Sequence, residues 1–251
     1  MLAAERRNLI LQALKRDGRV LIPALSAELG VSIDTVRRDL RDLAEAGALQ
    51  RVHGGALPLS PSTTSFADRQ RHLSAEKISI AARAAQLARN GMVISMGGGT
   101  TNVQVALHFR RDLQATVITH SPHVAIALAD HPQVEVILAG GKLFKYTMVT
   151  VGSETLTAFQ QVRADLCFLG VCSLHPEAGI SNLHYEEVQV QRVLIANAAE
   201  VVALAASETL GTAAPFILGP ITDLNAMITD KGAGKEALTP YRKLGIEIYQ
   251  A

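Results

Sequence analysis

The sequence is poor in cysteine, and its candidate metal ligands are scattered. The two cysteines, Cys167 and Cys172, lie in the apolar stretch LCFLGVC without a CxxC spacing. The eight histidines include no H-x-x-x-H pair. Two cysteines in this setting indicate neither a disulfide framework nor a tetrahedral zinc site. We therefore expect both to be buried and reduced, in a protein that binds no metal and no cofactor.

Net charge of either sign is almost absent. Lys and Arg number 24 against 23 Asp and Glu, which leaves a net charge of +1. The first 57 residues hold nine basic and seven acidic residues, and the remainder hold fifteen and sixteen. Total charge therefore makes no case for binding nucleic acid, and any such case must depend on where individual basic residues stand.

Long hydrophobic runs are also missing. No apolar segment approaches the ~20 residues that a membrane helix requires. The N-terminus carries Glu5, Arg6 and Arg7 before any apolar run, which is unlike a secretory signal peptide. Hydrophobic residues nevertheless make up 48% of the chain, enough for well-buried cores. We expect a cytoplasmic globular protein with no membrane partner.

The most informative stretch that is present is LSAELGVSIDTVRRDLRDLAEAGALQRVHGGAL, residues 25–57. Its pattern predicts a helix, a sharp turn at Gly30, a second helix capped by Ser32, and a short hairpin. An earlier helix is predicted over Ala3 to Arg16. In the capped helix, Val36, Leu40, Leu43 and Ala44 form the stripe expected to be buried.

The polar residues of this stretch suit DNA. A helix that presents arginines at its start can enter the major groove, while a basic hairpin rests on the backbone. The alternative is that these arginines pair with the acidic residues Asp39, Asp42 and Glu45 on a solvated helix face. The residues expected to face DNA are Ser32, Thr35, Arg37, Arg38, Arg41, Arg51 and His53.

The strings GVSIDTVRRDL and QRVHGGAL resemble the helix-turn-helix and the wing of the DeoR family of bacterial transcription regulators. The similarity extends more loosely along nearly the whole chain. It implies an N-terminal winged helix that binds operator DNA and a C-terminal domain that senses a sugar phosphate. It further implies a fold in that domain similar to ribose-5-phosphate isomerase, glucosamine-6-phosphate deaminase and the coenzyme A transferases.

The sequence divides into three parts: a winged helix over residues 1–57, a linker over residues 58–75 and a sensing and oligomerisation domain over residues 76–251. The segment PLSPSTT, residues 58–64, is typical of a linker or an extended strap. A charged helix is expected from Ser74 to the stop at Gly91. Seven short apolar runs then predict strands at residues 93–95, 116–119, 134–138, 165–170, 201–205, 226–229 and 246–249.

Helical patterns fall between most of these runs, at residues 102–109, 123–130, 153–160, 185–198 and 235–244. Strands rich in β-branched residues that alternate with helices predict an α/β fold. Its core would be a mostly parallel, Rossmann-like sheet with helices on both faces. Ligands of such sheets bind at the carboxyl ends of the strands, near the point where the strand order reverses.

The first strand runs directly into GGGTT, and a helix follows. Glycine backbone, free N–H groups at the helix start and two hydroxyls suit a phosphate, although a plain tight turn would give the same pattern. The family has a similar segment here. The residues expected to bind an effector at this loop are Gly97, Gly98, Gly99, Thr100 and Thr101.

Other strand ends supply further candidates. Ser121 follows the second strand, and Lys142 follows a Gly-Gly turn after the third. Glu186 and Glu187 open a long helix, where either could bond sugar hydroxyls, or serve only the helix dipole. We expect Glu186 to bind the effector, together with Thr209 after the fifth strand.

The sequence departs from the family after that fifth strand. Many relatives carry an Asp and a Lys there, where this chain has Ala206 and Thr209. The effector could be chemically different, Lys142 or Lys145 could replace the missing cation, or the response could be weak or lost. The absence of a placed carboxylate and electrophile also argues against isomerase-type catalysis.

Two functions follow from these patterns. The first is a DNA-binding repressor of carbohydrate metabolism genes, not an enzyme, controlled by a phosphorylated sugar or related metabolite. The alternative is a sugar-phosphate isomerase or deaminase with an accessory helical domain. The basic helix and hairpin favour the regulator. It would act as a homo-oligomer, a dimer or tetramer, because one winged helix reads few base pairs.

Overall fold

A winged helix forms the first 57 residues of the computed structural model, which describes residues 1–251. Its elements are α1 (Ala3–Asp17), β1 (Val20–Leu21), α2 (Ile22–Leu29), α3 (Ile33–Glu45), β2 (Gln50–Val52) and β3 (Gly55–Leu57). The three strands make a small antiparallel sheet in the order β1-β3-β2. The predicted helices and the hairpin are confirmed, with α1 one residue longer than expected.

Local signals explain where these helices begin and end. The Ser32 side chain accepts a hydrogen bond from the Thr35 N–H at 3.2 Å and so caps α3. Gly18 and Gly30, both with positive φ, follow the last residues of α1 and α2. Val36, Leu40 and Leu43 of α3 are buried against α1 and α2, but Ala44 is only half-buried.

The wing requires glycine at one position because two strands approach closely. A Cβ atom on Gly55 would lie 1.9 Å from the carbonyl oxygen of Val20, which belongs to the paired strand β1. Any side chain at this position would push β1 away from β3. The second glycine of the sequence RVHGG is therefore explained by packing within the wing.

The C-terminal domain is built on one parallel sheet of seven strands in the order β15-β14-β12-β9-β4-β5-β6. All seven strands predicted from the sequence form this sheet, each within three residues of its expected bounds. Its strands are β4 (Val93–Met96), β5 (Ala115–Thr119), β6 (Val134–Leu138), β9 (Ala164–Gly170), β12 (Ala198–Leu204), β14 (Ala226–Thr229) and β15 (Glu247–Gln250).

Helices cover both faces of the sheet, as expected. Alternate residues of a strand enter different cores: in β9, Leu166 and Phe168 pack with α5, α6 and α7, and Cys167 and Leu169 with α8, α9 and α10. These helices are α5 (Ala75–Ala85), α6 (Thr100–Leu107), α7 (Pro122–Leu128), α8 (Ser153–Gln160), α9 (Tyr185–Ala196) and α10 (Lys235–Lys243). Helix α5 ends six residues before the predicted stop at Gly91.

Five short strands of the C-terminal domain were not predicted, nor was β1 of the winged helix. They form a hairpin of β7 (Lys142–Phe144) and β8 (Val149–Val151), and a three-stranded sheet of β10 (Ser173–His175), β11 (Gly179–Asn182) and β13 (Phe216–Gly219). Strands of three or four residues carry too few alternations to stand out in a sequence. Both small sheets follow the carboxyl ends of strands in the main sheet.

Residues 58–74, which we call the strap, cross the C-terminal domain and contain a further helix, α4 (Phe66–Arg71). Phe66 is buried, and its N–H donates to the Tyr146 carbonyl at 2.8 Å. The Ser60 hydroxyl donates to the Cys172 carbonyl at 2.8 Å, and the Ala213 N–H to the Pro58 carbonyl at 3.1 Å. The segment is thus held against the C-terminal domain at Pro58, Ser60 and Phe66, whereas much of the rest is exposed. Helix α4 was missed because six residues show little periodicity.

Candidate nucleic-acid interface and ligand cavity

Helix α3 presents exposed arginines. Arg38 and Arg41 lie on the surface and form no ion pair. Arg37 is exposed as well and pairs within the helix with Asp34 at 3.1 Å. Ser32 and Thr35 stand at the start of the same helix, where their hydroxyls are 2.9 Å apart. The residues that the sequence assigned to DNA on α3 are therefore all accessible to solvent, Thr35 only in part.

In the structure, the arginines of α3 do not pair with Asp39 and Asp42. Asp39 is buried and bonded to Arg6 and Arg7 of α1, with the second Arg6 contact at 3.0 Å. Asp42 is bonded to Arg7. Because α1 supplies the cations for both carboxylates, Arg38 and Arg41 remain available to another molecule.

The basic residues of the wing lie both at the exposed surface and at the edge of a cleft between the domains. Arg51 and His53 are exposed, and they also border a cleft between the winged helix and the C-terminal domain. The far side of this cleft is the β10–β11 hairpin and the start of β13. Arg19 pairs across it with Glu177 at 2.8 Å. The wing is thus accessible to DNA and adjacent to the domain behind it.

A second cavity lies where the strand order of the main sheet reverses. The chain runs from β4 outward to β5 and β6, then returns to place β9 on the other side of β4. The cavity opens at the carboxyl ends of β4 and β9 and encloses a volume of about 80 Å³. This is where a parallel sheet is expected to bind a ligand.

The Gly98–Thr101 loop forms one wall of this cavity. A Cβ atom on Gly98 would lie 2.3 Å from Cγ1 of Val149, and Gly99 has φ +101°, so both positions favour glycine. Thr100 begins α6, whose first N–H groups are free of intrahelical partners. The Asn102 amide donates to the Gly98 carbonyl at 3.0 Å and holds the loop. The loop has the backbone geometry that suits an anion.

A different wall consists of buried polar side chains from α9 and its surroundings. Glu187 is 7% exposed, and its Oε1 has no hydrogen-bond partner. Burial raises the pKa of this carboxyl group above its usual value. The hydroxyl of Thr147 and Nε2 of His184 are also buried and form no hydrogen bond within 3.5 Å. Thr147 and Asn182 nevertheless lie close enough to Glu187 to oppose the rise in its pKa. By contrast, the Asn182 amide donates to Gln191 at 2.9 Å.

Two positively charged side chains line the cavity, one from the strap and one from α5. Arg69 of α4 lines it, with a buried Nε that lacks a partner. Lys77 of α5 also lines it, with Nζ 3.9 Å from a carboxylate oxygen of the exposed Glu208. Ala206 and Thr209 line the same cavity, and the Thr209 hydroxyl donates to the Ala206 carbonyl at 2.7 Å.

The structure brings together part of the predicted effector set. Gly98, Gly99, Thr100, Thr101 and Thr209 line the cavity. The remaining four residues do not: Gly97 is buried before the loop, Ser121 is the buried N-cap of α7, and Lys142 and Glu186 are exposed elsewhere.

Two assignments therefore change. The cationic side chains that line the cavity are Arg69 and Lys77, from segments distant in sequence, and not Lys142 or Lys145, one of the alternatives considered above. The glutamate in the cavity is Glu187, not Glu186. Glu187 lies one turn before Gln191 and two turns before Leu194, and all three are buried on the same face of α9. This helical periodicity is the signal in the sequence that could have distinguished Glu187 from Glu186.

The cysteines are free thiols, as the sequence predicted. Cys167 is buried in the sheet, and burial raises its pKa to about 12. Cys172 is less buried and lines the cavity, and burial raises its pKa to about 11. No group of three or more potential metal ligands is found. Nor is any helix both long and apolar enough to span a membrane.

Comparisons with known proteins cover nearly the whole chain. Residues 6–62 match a family model described as the DeoR-like helix-turn-helix domain, and residues 73–231 match the DeoR C terminal sensor domain. The chain is 30% identical to the HTH-type transcriptional regulator GolR of Listeria innocua, over 99% of this chain and 98% of that protein. It is 32% identical to the glycerol-3-phosphate regulon repressor of Escherichia coli K12, over 92% of each. It is 33% identical to the HTH-type transcriptional repressor GlcR of Bacillus subtilis, over 92% of this chain and 90% of that protein.

Proposed function

This chain belongs to the DeoR family of transcription regulators, and we propose that it is a repressor released from DNA by a phosphorylated sugar or related metabolite. Family membership makes it a regulator rather than a sugar-phosphate isomerase or deaminase. Two of the relatives described above are named repressors, one of them of a glycerol-3-phosphate regulon. The proposal extends that kind of control to this chain and to genes of carbohydrate metabolism.

The DNA-binding half of the proposal rests on α3 and the wing. Arg38 and Arg41 are exposed and unpaired, one turn apart on the helix that a helix-turn-helix inserts into the major groove. An arginine can bond a guanine with two parallel hydrogen bonds, which reads sequence. Arg51 on the wing is suited to the phosphate backbone, which fixes position without reading bases.

The lining of the cavity supports the binding of a phosphorylated effector. The Gly98–Thr101 loop and the start of α6 offer backbone N–H groups to a phosphate, and Lys77 and Arg69 offer positive charge. These two residues take the place of the lysine that many relatives carry where this chain has Thr209. The pocket therefore supports an anionic effector despite that departure.

The observation that carries the coupling between the two halves is the course of the strap. It leaves the wing at the end of β3 and contributes Ser62 and Arg69 to the cavity wall. An anion that binds Arg69 would favour one position of the strap over others and thereby bias the position of the wing. The effector and the operator are in this way linked through one continuous segment of 17 residues, 58–74.

Selection of duplexes from a random pool by the full-length protein tests the proposal. We expect the protein to enrich a preferred DNA sequence. In gel shifts, we expect at least one member of a panel of polyol and sugar phosphates, which includes glycerol 3-phosphate, to release the protein from that DNA. The Gly99→Asp variant should still bind DNA but should no longer be released by these ligands, because a carboxylate at the loop repels the phosphate. Gly99→Ala, which shares the strained φ without the charge, is the matched control.

Two outcomes would contradict the proposal. Failure of the wild type to enrich any sequence would remove the DNA-binding function. Release by the panel that is equal in Gly99→Asp and Gly99→Ala would move the phosphate site away from this loop.

A further inference from the structure

We infer that the turn between β7 and β8, residues 145–148, transmits occupancy of the cavity to the strap, and that Tyr146 is the residue that positions the strap. The inference rests on the proposed function, since it concerns how an occupied cavity acts on the winged helix. It adds a contact to the one proposed through Arg69. Tyr146 itself does not line the cavity, so its role is separate from binding the ligand.

The 145–148 turn has an unusual backbone. Met148 has φ 55°, and it is the only residue other than glycine with a positive φ. A residue with a large side chain adopts this conformation rarely, and it persists where neighbouring contacts impose it. The Met148 N–H donates to the Phe144 carbonyl at 2.9 Å, which closes the turn. The conformation of the turn therefore depends on what surrounds it.

One side of this turn meets the cavity. Thr147 is buried and lines it. Val149, the first residue of β8, packs directly on Gly98, since a Cβ atom on that glycine would lie 2.3 Å from Val149 Cγ1. No free space separates the two residues, so a shift of the Gly98–Thr101 loop when an anion binds would displace Val149.

The residue after Val149 is anchored to the main sheet. The Thr150 hydroxyl donates to the Ala139 carbonyl at 2.6 Å, and the Thr150 N–H donates to the His120 carbonyl at 2.8 Å. The Thr150 carbonyl lies 3.0 Å from Nδ1 of His120. These bonds hold β8 against the residues that follow β5 and β6. A displacement of Val149 is therefore taken up by the 145–148 turn rather than by the rest of β8.

The other side of the turn holds the strap through Tyr146. The Tyr146 hydroxyl donates to the Thr63 carbonyl, and the Tyr146 carbonyl accepts from the Phe66 N–H at 2.8 Å. Both contacts fall between Ser62 and Arg69, the two strap residues that line the cavity. A movement of the turn would thus reposition the middle of the strap, which leads directly to the wing.

The operator affinity of the full-length protein, measured with and without ligand, tests the inference. The ligand is the panel member that releases the wild type at the lowest concentration, and the ratio of the two Kd values measures the coupling. We expect Tyr146→Phe to lower this ratio two-fold or more and Tyr146→Ala to bring it close to one. The operator Kd without ligand and the ligand Kd without DNA should each stay within three-fold of the wild type. Tyr185→Phe, which alters an exposed tyrosine of the same domain, is the matched control and should leave the ratio unchanged.

Reciprocity between two coupled sites gives an independent measure. The ligand must lose affinity for the operator-bound protein by the same factor by which it weakens operator binding. Calorimetric titration of ligand into the protein alone and into its complex with the operator duplex measures that factor. Tyr146→Phe keeps the ring, which lies edge-on to His184 with the centroids 5.0 Å apart, so this variant decides the question if Tyr146→Ala does not fold.

The outcomes also separate this inference from the proposed function. If the ligand releases the wild type and both Tyr146 variants equally, the role of the turn is wrong and the proposed function stands. If the variants lose ten-fold or more in ligand affinity without DNA, Tyr146 supports the cavity itself, and the inference is overturned as well. If no member of the panel releases the wild type, the proposed function fails and takes this inference with it.

Discussion

His120 is a buried imidazole that directly follows β5, and its pKa depends strongly on its surroundings. One ring nitrogen, Nδ1, lies 3.0 Å from the Thr150 carbonyl, and the other has no partner. The ring meets Phe159 edge-on, with the centroids 5.9 Å apart. Burial lowers the pKa of this histidine to about 4, and the hydrogen bond to Thr150 offsets only part of that effect.

Stability should therefore fall in mild acid. The pKa of His120 is lower in the folded chain than in the unfolded one, so its neutral form contributes stability above about pH 6.5. That contribution is lost as the pH falls from about 6.5 to 4. Between pH 7 and pH 5 we expect a loss of about 2 kcal/mol in the free energy of unfolding from this residue alone.

Urea unfolding of wild type and His120→Asn at both pH values measures this contribution. The difference between the two proteins isolates His120 from other groups, including Glu187, whose raised pKa acts in the opposite direction. If both proteins lose the same free energy between pH 7 and pH 5, His120 does not titrate in this way.

Among the elements, α3 is where sequence and structure agree most closely. Its cap, its buried stripe and its exposed arginines were all predicted, because each depends on residues within one or two turns. What the sequence left open was the partner of Asp39 and Asp42. In the structure, both carboxylates form ion pairs with α1, because Arg6 and Arg7 lie opposite them where α1 contacts α3.

This arrangement predicts different roles for two arginines in DNA binding. Arg38→Ala should cost roughly 1–3 kcal/mol on a preferred duplex and little on random DNA, because a base contact is lost. Arg51→Ala should weaken both about equally, because a backbone contact carries no sequence information. Arg16→Ala, which removes the same charge from the far end of α1, is the control. Gel shifts on both duplexes would measure the effects, and unchanged binding in the first two variants would exclude α3 and the wing from the interface.

The strap is the element that the sequence described least well. Its first residues are rich in Pro, Ser and Thr, a composition that is common to mobile linkers and packed segments. Its packing depends on Phe66, which is buried in the C-terminal domain and lies with its ring centroid 4.3 Å from that of His123. Such a contact joins residues 57 positions apart, and no local pattern encodes it.

At the scale of the whole molecule, an exposed ion pair and a cleft lie between the two domains. An exposed pair such as Arg19 with Glu177 contributes only about 0–1 kcal/mol. Under the proposed function, the strap is therefore the segment through which the sensing domain would act on the winged helix.

We expect the protein to be a dimer or larger, because useful specificity requires at least two winged helices on repeated half-sites. The C-terminal domain offers the apolar surface, with Ile126 72% exposed, and Ile137 and Leu138 exposed on the edge strand β6. Light scattering of the full-length protein at micromolar concentration tests this. A fragment over residues 58–251, which keeps the strap, should assemble equally well, and a monomer in both cases would contradict the prediction.

The sequence by itself determined the order and type of the main elements, the winged helix, the parallel sheet and the glycine-rich loop that follows its first strand. These follow from caps, glycines and periodic burial, which act over a few residues. Only the tertiary structure decided which side chains meet at the cavity. Arg69, Lys77 and Glu187 arrive there from the strap, from α5 and from α9. The reason is physical: a site at the ends of parallel strands is assembled from loops that the sheet brings together, so its members are distant in sequence.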